Sequence, residues 1–264
     1  MAHLPIGGVV VAAAALLALP TTASADPWTG YYVGAFAGGA WGDGGLATDV
    51  GTLHSNSYFS SNENIASVEG NTSGSTHSKS FTGGVQLGAN QRFDQLVVGA
   101  EVDFGAFNLN GTRGAAGIEY PTFATLSYTT NVAYSTDWLF TARGRFGWLA
   151  SQSLLLYFTG GLAVSDVRVS NAFFDLPANT GIIFARGGSA RTTTRAGYTL
   201  GAGFEAKLGG PWSIKAEYLY VDLGSTSTKG LIGATIVPNQ SPFDTSVDVT
   251  ANIARIGVNY SFGD

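Results

Sequence analysis

"DWLFTARGRFGW", residues 137–148, divides by parity: Trp138, Phe140, Ala142, Gly144, Phe146 and Trp148 fall on one side, Leu139, Thr141, Arg143, Arg145 and Gly147 on the other. Successive side chains of an extended chain point to opposite faces. The segment is therefore a strand with one apolar face, aromatic at both ends, and one face that carries the polar and charged groups. A sandwich core would bury those aromatics between two sheets, on strands of about five or six residues. This strand is about twice as long. Ten residues at ~3.4 Å rise, tilted by ~40°, cover roughly 25 Å, the height of an outer-membrane apolar band.

The same pattern recurs along the chain. In "SFTGGVQLGAN", residues 80–90, Phe81, Gly83, Val85, Leu87 and Ala89 lie opposite Thr82, Gly84, Gln86, Gly88 and Asn90. "GYTLGAGFEAK" at 197–207 sets Tyr198, Leu200, Ala202, Phe204 and Ala206 against Thr199, Gly201, Gly203, Glu205 and Lys207. "RIGVNYSFGD" at 255–264 alternates Ile256, Val258, Tyr260 and Phe262 with Arg255, Gly257, Asn259 and Ser261. With "WTGYYVGAFAGGAW" (28–41), residues 96–104, "LLLYFTGGLAV" (154–164) and "WSIKAEYLYVDLG" (212–224), the strands number eight. Trp28, Tyr31, Trp41, Trp138, Trp148, Trp212, Tyr218, Tyr220 and Tyr260 fall near strand ends, where a membrane barrel carries its aromatic girdles.

Connections alternate in length: long and polar at about 42–79, 105–134, 165–191 and 224–245, short near 93–95, 149–153 and 208–211. The expected fold is all-β, an eight-stranded antiparallel up-and-down transmembrane β-barrel with long external loops and short periplasmic turns. The first long connection is rich in Ser, Asn, Gly and Thr, a composition that suits a flexible, solvated surface. The last strand should pair with the first, because closure removes the exposed edge that a lone apolar strand would offer to aggregation.

Composition agrees. Residues 1–25 contain no Asp, Glu, Lys or Arg, run apolar from Ile6 to Leu19 and end in Ala23-Ser24-Ala25. They read as a secretory signal peptide cut before Asp26, and are too short for a membrane anchor of about 20 apolar residues. Residues 26–264 form the barrel domain. The chain has no Cys, so disulfide scaffolds are excluded. Charged residues are only 12% of it, about half the usual share. The net charge of −5 argues against a nucleic-acid partner.

Together these segments resemble the small outer-membrane β-barrel family of alphaproteobacteria, related to the OmpA-like transmembrane domain. "WTGYYVGAFAGGAWG" (28–42), "DWLFTARGRFGW" (137–148), "LYFTGGLAV" (156–164), "GYTLGAGFEAKL" (197–208), "KAEYLYVDLG" (215–224) and "NIARIGVNYSF" (252–262) carry the resemblance. It implies a porin-like surface antigen of a Gram-negative outer membrane, embedded in outer-membrane lipids. It also implies that the outer-membrane insertion machinery reads the last strand as an assembly signal, here Arg255, Gly257, Tyr260 and Phe262. The family usually stops at the aromatic, whereas Gly263 and Asp264 follow here.

Parity sends Glu101, Asp103, Arg143, Arg145, Glu205, Lys207, Lys215, Glu217 and Arg255 into the lumen. An eight-stranded barrel is just wide enough for side chains to fill, so these charges are expected to pair into a plug; an ion pathway between them is the alternative. Catalysis has little support, because the mature chain holds only His54 and His77, neither in a recognisable motif. No cofactor or metal is expected. The reading is a non-enzymatic, monomeric barrel serving envelope integrity and surface presentation. A narrow diffusion porin is one alternative, and a loop-mediated adhesin or haem binder another.

Overall fold

The computed structural model describes residues 26–177, 183–235 and 238–262. The expected signal peptide, and Gly263 and Asp264, lie outside the described residues. The elements are β1 (Gly30–Asp49), α1 (Asn62–Thr72), β2 (Gly74–Phe93), β3 (Leu96–Phe107), β4 (Asn110–Tyr120), β5 (Phe123–Thr136), β6 (Trp138–Ser151), β7 (Leu154–Pro177), β8 (Ala185–Gly209), β9 (Trp212–Thr228), β10 (Leu231–Ala234), β11 (Gln240–Pro242) and β12 (Asp244–Phe262).

Eight of these strands close a ring in the order β1-β2-β3-β6-β7-β8-β9-β12, every neighbouring pair antiparallel. The last strand meets the first from Tyr31↔Phe262 to Asp49↔Asp244. The alternation expected from the sequence holds throughout the lower half. Phe81 is 68% exposed, Phe158 72% and Ile256 62%, while the residues beside them in sequence point into the barrel. Exposure of that many large apolar groups would drive aggregation in water but is favourable against hydrocarbon. Aromatic contacts rim the band: Trp212 and Tyr260 rings lie 5.1 Å apart at one end, Trp41 and Tyr218 6.2 Å apart at the other. Trp28 corrects the girdle assignment. It is 2% exposed, because its ring folds inward under the barrel and its Nε1 donates to the Gln152 carbonyl at 2.9 Å.

The long connections also correct an expectation, since they are mostly strand rather than loose loop. β1 runs on to Asp49 and β2 begins at Gly74, with α1 between them. β3 and β6 each continue past a kink, as β4 and β5. The kink is held by Thr136 N–H to the Leu109 carbonyl (2.8 Å) and Phe107 N–H to the Asp137 carbonyl (3.1 Å). β7 then changes partner, from β6 through Phe140↔Val164 to β5 from Thr136↔Val167. Higher still, β8 leaves β9 above Tyr198↔Asp222, and β7 approaches β9 and β12 across the interior. The outer half is thus flattened around an apolar core that includes Leu109, Tyr128, Val167, Phe173, Leu223, Phe243 and Val249.

Helix α1 forms part of that cover. Ser61 caps it by accepting from Asn64 N–H, which satisfies one of the free donors of the first turn. Ile65 and Val68 face the core. The polar side is tied to the wall: Glu69 accepts from Val50 N–H at 3.1 Å, and Asn71 Nδ2 donates to the Tyr128 hydroxyl at 2.8 Å. Polar composition predicts solvation only when no partner is in reach; here strand extensions supply the partners.

Candidate functional site: the charge network of the lumen

The strand registers set inward charges side by side. Glu101 faces Arg143 across β3–β6, Glu205 faces Lys215 across β8–β9, and Glu217 faces Arg255 across β9–β12. Long side chains then reach across the lumen. Arg143 pairs with Glu101, with Asp103 at 2.8 Å and with Glu217 at 3.0 Å. Lys215 Nζ lies 2.9 and 2.8 Å from the two oxygens of Glu101. Arg145 meets Glu205 at 2.7 Å, and Arg255 meets Asp103 at 2.8 Å and Glu217 at 2.7 Å. The four cations Arg143, Arg145, Lys215 and Arg255 thus face four anions, Glu101, Asp103, Glu205 and Glu217, with side chains 0–3% exposed.

Buried charges are tolerable only when their remaining lone pairs and protons are also satisfied. Hydroxyls and amides do most of this, although the buried Arg143 Nη1 and Arg145 Nε make no hydrogen bond among the described residues. Tyr32 donates to Glu101 (2.7 Å) and accepts from Arg145 (2.6 Å); Tyr157 donates to Glu217 (3.0 Å). Ser213 and Asn259 both donate to Glu205, at 2.6 and 3.0 Å. Two guanidiniums also lie over rings, Arg145 over Tyr157 (4.1 Å) and Arg255 over Phe36 (4.2 Å), each contact adding attraction in a desolvated site. Room for the rings comes from glycine. A Cβ on Gly203 would stand 2.8 Å from the Tyr157 hydroxyl.

Of the nine lumen charges expected from parity, eight meet in this network. Lys207 does not. It sits at the periplasmic mouth, donating to Ser261 Oγ at 2.9 Å with its ammonium 5.1 Å from the Trp28 ring centre. The cavity left there, bounded by Trp28, Tyr32, Asn90, Glu205 and Lys207, measures about 10 Å³, roughly the space of a single water. Sequence reasoning missed Tyr32, Phe36 and Tyr157. The signal was available, since Tyr32 and Phe36 share parity opposite Val33, Ala35 and Ala37.

The residues of the expected assembly signal divide between the faces. Arg255 belongs to the lumen network, Gly257 lies beside Lys215, and Tyr260 and Phe262 point outward and pack edge to face with ring centres 5.2 Å apart. The histidines stay apart from this chemistry. The His54 ring accepts from the Asn56 N–H at 3.3 Å, while His77 pairs with Asp43 on the outer surface. Among the described residues no group of three or more His, Cys, Asp or Glu is placed to hold a metal.

The chain is similar to known outer-membrane proteins. A family model described as outer membrane protein beta-barrel domain matches residues 9–262. The 31 kDa outer-membrane immunogenic proteins of Brucella melitensis biotype 1 and Brucella suis biovar 1 are each 33% identical over 250 residues, covering 92% of this chain and 88% of theirs. A 22 kDa outer membrane protein of Rhizobium leguminosarum is 30% identical over 56% of each chain. Among solved structures, OprG of Pseudomonas aeruginosa aligns over 89% of this chain and 97% of its own, with 14% identity and a TM-score of 0.42. With its closed ring, its lipid-facing band and these relatives, the chain is a member of the outer membrane protein β-barrel domain family and a protein of the outer membrane.

Proposed function

We propose that the protein is a non-enzymatic, non-conducting barrel that stiffens the envelope and presents a folded outer surface. The observation that carries this reading is the balanced set of eight charges, with side chains 0–3% exposed, lying beneath an apolar outer core. An ion crossing here would have to displace carboxylate–guanidinium pairs in low dielectric, which costs several kcal/mol per pair broken, and then pass between packed Val, Leu and Phe side chains. A diffusion porin needs a wetted path instead. The Brucella relatives are named as immunogenic, which suits an outer surface that is presented to antibodies. In this reading the barrel is a monomer in outer-membrane lipid, because closure leaves its membrane half without a strand edge. The insertion machinery would recognise β12 through Arg255, Gly257, Tyr260 and Phe262.

The test is single-channel recording. Mature chain, residues 26–264, is refolded, checked by heat-dependent gel mobility, and added to planar bilayers. Silence from folded protein is the expected result. Reproducible conductance steps would overturn the plug and establish a pore.

A further inference from the structure

The lipid-facing wall is not smooth. Strand register sets small outward residues side by side on four neighbouring strands: Ala37 of β1, Ala254 of β12, Ala216 of β9 and Ala202 of β8. They floor an open, apolar groove of about 610 Å³. Tyr218 and Ile256 flank the floor, and the exposed rings of Phe81 and Phe204 stand at its two ends. Gly39 carries the depression toward Phe81, because a Cβ there would meet nothing within 4 Å. At ~4.8 Å between strands the floor spans about 15 Å from β8 to β1, close to one leaflet's share of a hydrocarbon core about 30 Å thick.

The groove also slopes through the membrane. Phe81 lies farther along β2 from the turn after Phe93 than Ala202 lies along β8 from the turn after Gly209. The end beside β2 is therefore the outer one, and an acyl chain entering there would descend toward the periplasmic side.

Polar groups stand just above that outer end. Lys79 is two positions outward of Phe81 on the same face of β2; it is opposite Trp41, and Trp41 is opposite Asn252. The Lys79 side chain is exposed, with no carboxylate within ion-pair distance among the described residues. Asp43, one row further out, is taken up by His77. The Tyr218 hydroxyl donates to Asn252 Oδ1 at 2.6 Å. This leaves Asn252 Nδ2, like Trp41 Nε1, a donor without an acceptor among the described residues. An unpaired ammonium and two N–H donors at the rim of an apolar groove match a phosphate that carries a hydrocarbon tail. A wholly apolar occupant, such as a partner's spanning segment, would leave the ammonium unpaired.

We propose that this wall is a binding site for one outer-leaflet lipid with an anionic phosphate headgroup. Lys79, Trp41 and Asn252 hold the phosphate at the membrane boundary, and one acyl chain lies over Ala254, Ala216 and Ala202 beneath it.

The test is native mass spectrometry of the refolded mature chain in detergent micelles, with phosphatidylglycerol or phosphatidylcholine of the same acyl chains added in turn. One phosphatidylglycerol should stay bound, with phosphatidylcholine retained about fivefold less. Lys79→Gln should weaken phosphatidylglycerol retention about fivefold. Ala254→Phe, which fills the groove and leaves the charge in place, should weaken it several-fold. Val98→Phe, at an exposed residue of β3 outside the groove, should leave it at the parent level. Unchanged heat-dependent gel mobility in all three variants separates a lost site from a lost fold. Equal retention of the two lipids, or parent-level retention by Lys79→Gln, would overturn the headgroup site and with it the proposal. So would parent-level retention by Ala254→Phe, or displacement of the lipid by an equal concentration of inorganic phosphate, either of which would reduce the site to surface charge.

Discussion

Glu101 shows how much rests on one side chain. It accepts from Lys215 through both oxygens and from Tyr32, and pairs with Arg143. Glu101→Gln leaves Lys215 buried with its next carboxylate, Glu217, at 4.0 Å. Removing one partner of a buried pair costs about 3–5 kcal/mol, whereas removing both with apolar replacement is often close to neutral. The expected order of stability, read by urea unfolding in lipid vesicles, places Glu101→Gln below the double variant Glu101→Gln with Lys215→Met. The reverse order would show that the charges are not coupled. Asp175 gives the second residue-scale prediction. It is buried in the outer core, accepting from Tyr58, from Tyr120 at 3.3 Å and from Ala185 N–H at 2.7 Å, with no Lys, Arg or His among the described residues in ion-pair range. Burial pushes its carboxyl up to about 6, although the Ala185 amide pulls the other way. With the folded pKa above the unfolded one, protonation favours the packed outer half. That half is most stable below about pH 4 and loses on the order of 2–3 kcal/mol as pH rises through about 6. Asp175→Asn should flatten this dependence in hydrogen exchange of the outer half; an unchanged profile would remove Asp175 from the account.

At the scale of the element, β12 joins three roles in one alternation. Its inward residues Arg255 and Asn259 complete the lumen network, its outward Ile256, Val258, Tyr260 and Phe262 face lipid, and its backbone closes the ring against β1. Phe262 pairs with Tyr31 and packs edge to face against Tyr260, so its ring anchors the lower end of the seam. Phe262→Ala should lower the yield of membrane-inserted, heat-modifiable protein several-fold, while protein that does insert keeps nearly the parent unfolding midpoint. A wild-type yield would show that the terminal aromatic only packs on its neighbours.

For the whole molecule, the decisive feature is that the barrel does not end at the membrane. The strands continue outward, kink, exchange partners and close over Leu46, Val50, Val167, Phe173, Val247 and Val249. Amides there should therefore exchange as slowly as those of the membrane-spanning strands, because opening them requires breaking a packed core. Exchange within minutes throughout residues 46–50, 167–173 and 247–249 would contradict a folded outer half.

The eight strands of the ring, their antiparallel order, the lipid face and eight of the nine lumen assignments were legible in the sequence, because side-chain direction in a strand has period two and needs no tertiary information. "DWLFTARGRFGW" alone assigns Arg143 and Arg145 to the interior and Trp138 and Trp148 to the lipid face. Parity does not report depth, however. Lys207 has the right parity but lies at the mouth beside Trp28, and Trp28 itself turns inward beyond the reach of strand alternation. The polar outer segments were not legible as strands, because Gly, Ser, Thr and Asn suit a solvated loop as well as a hydrogen-bonded wall. Only the tertiary structure decided between them, by placing α1 against Tyr128 and β5 against β7, where backbone groups found partners and scattered apolar residues found one another.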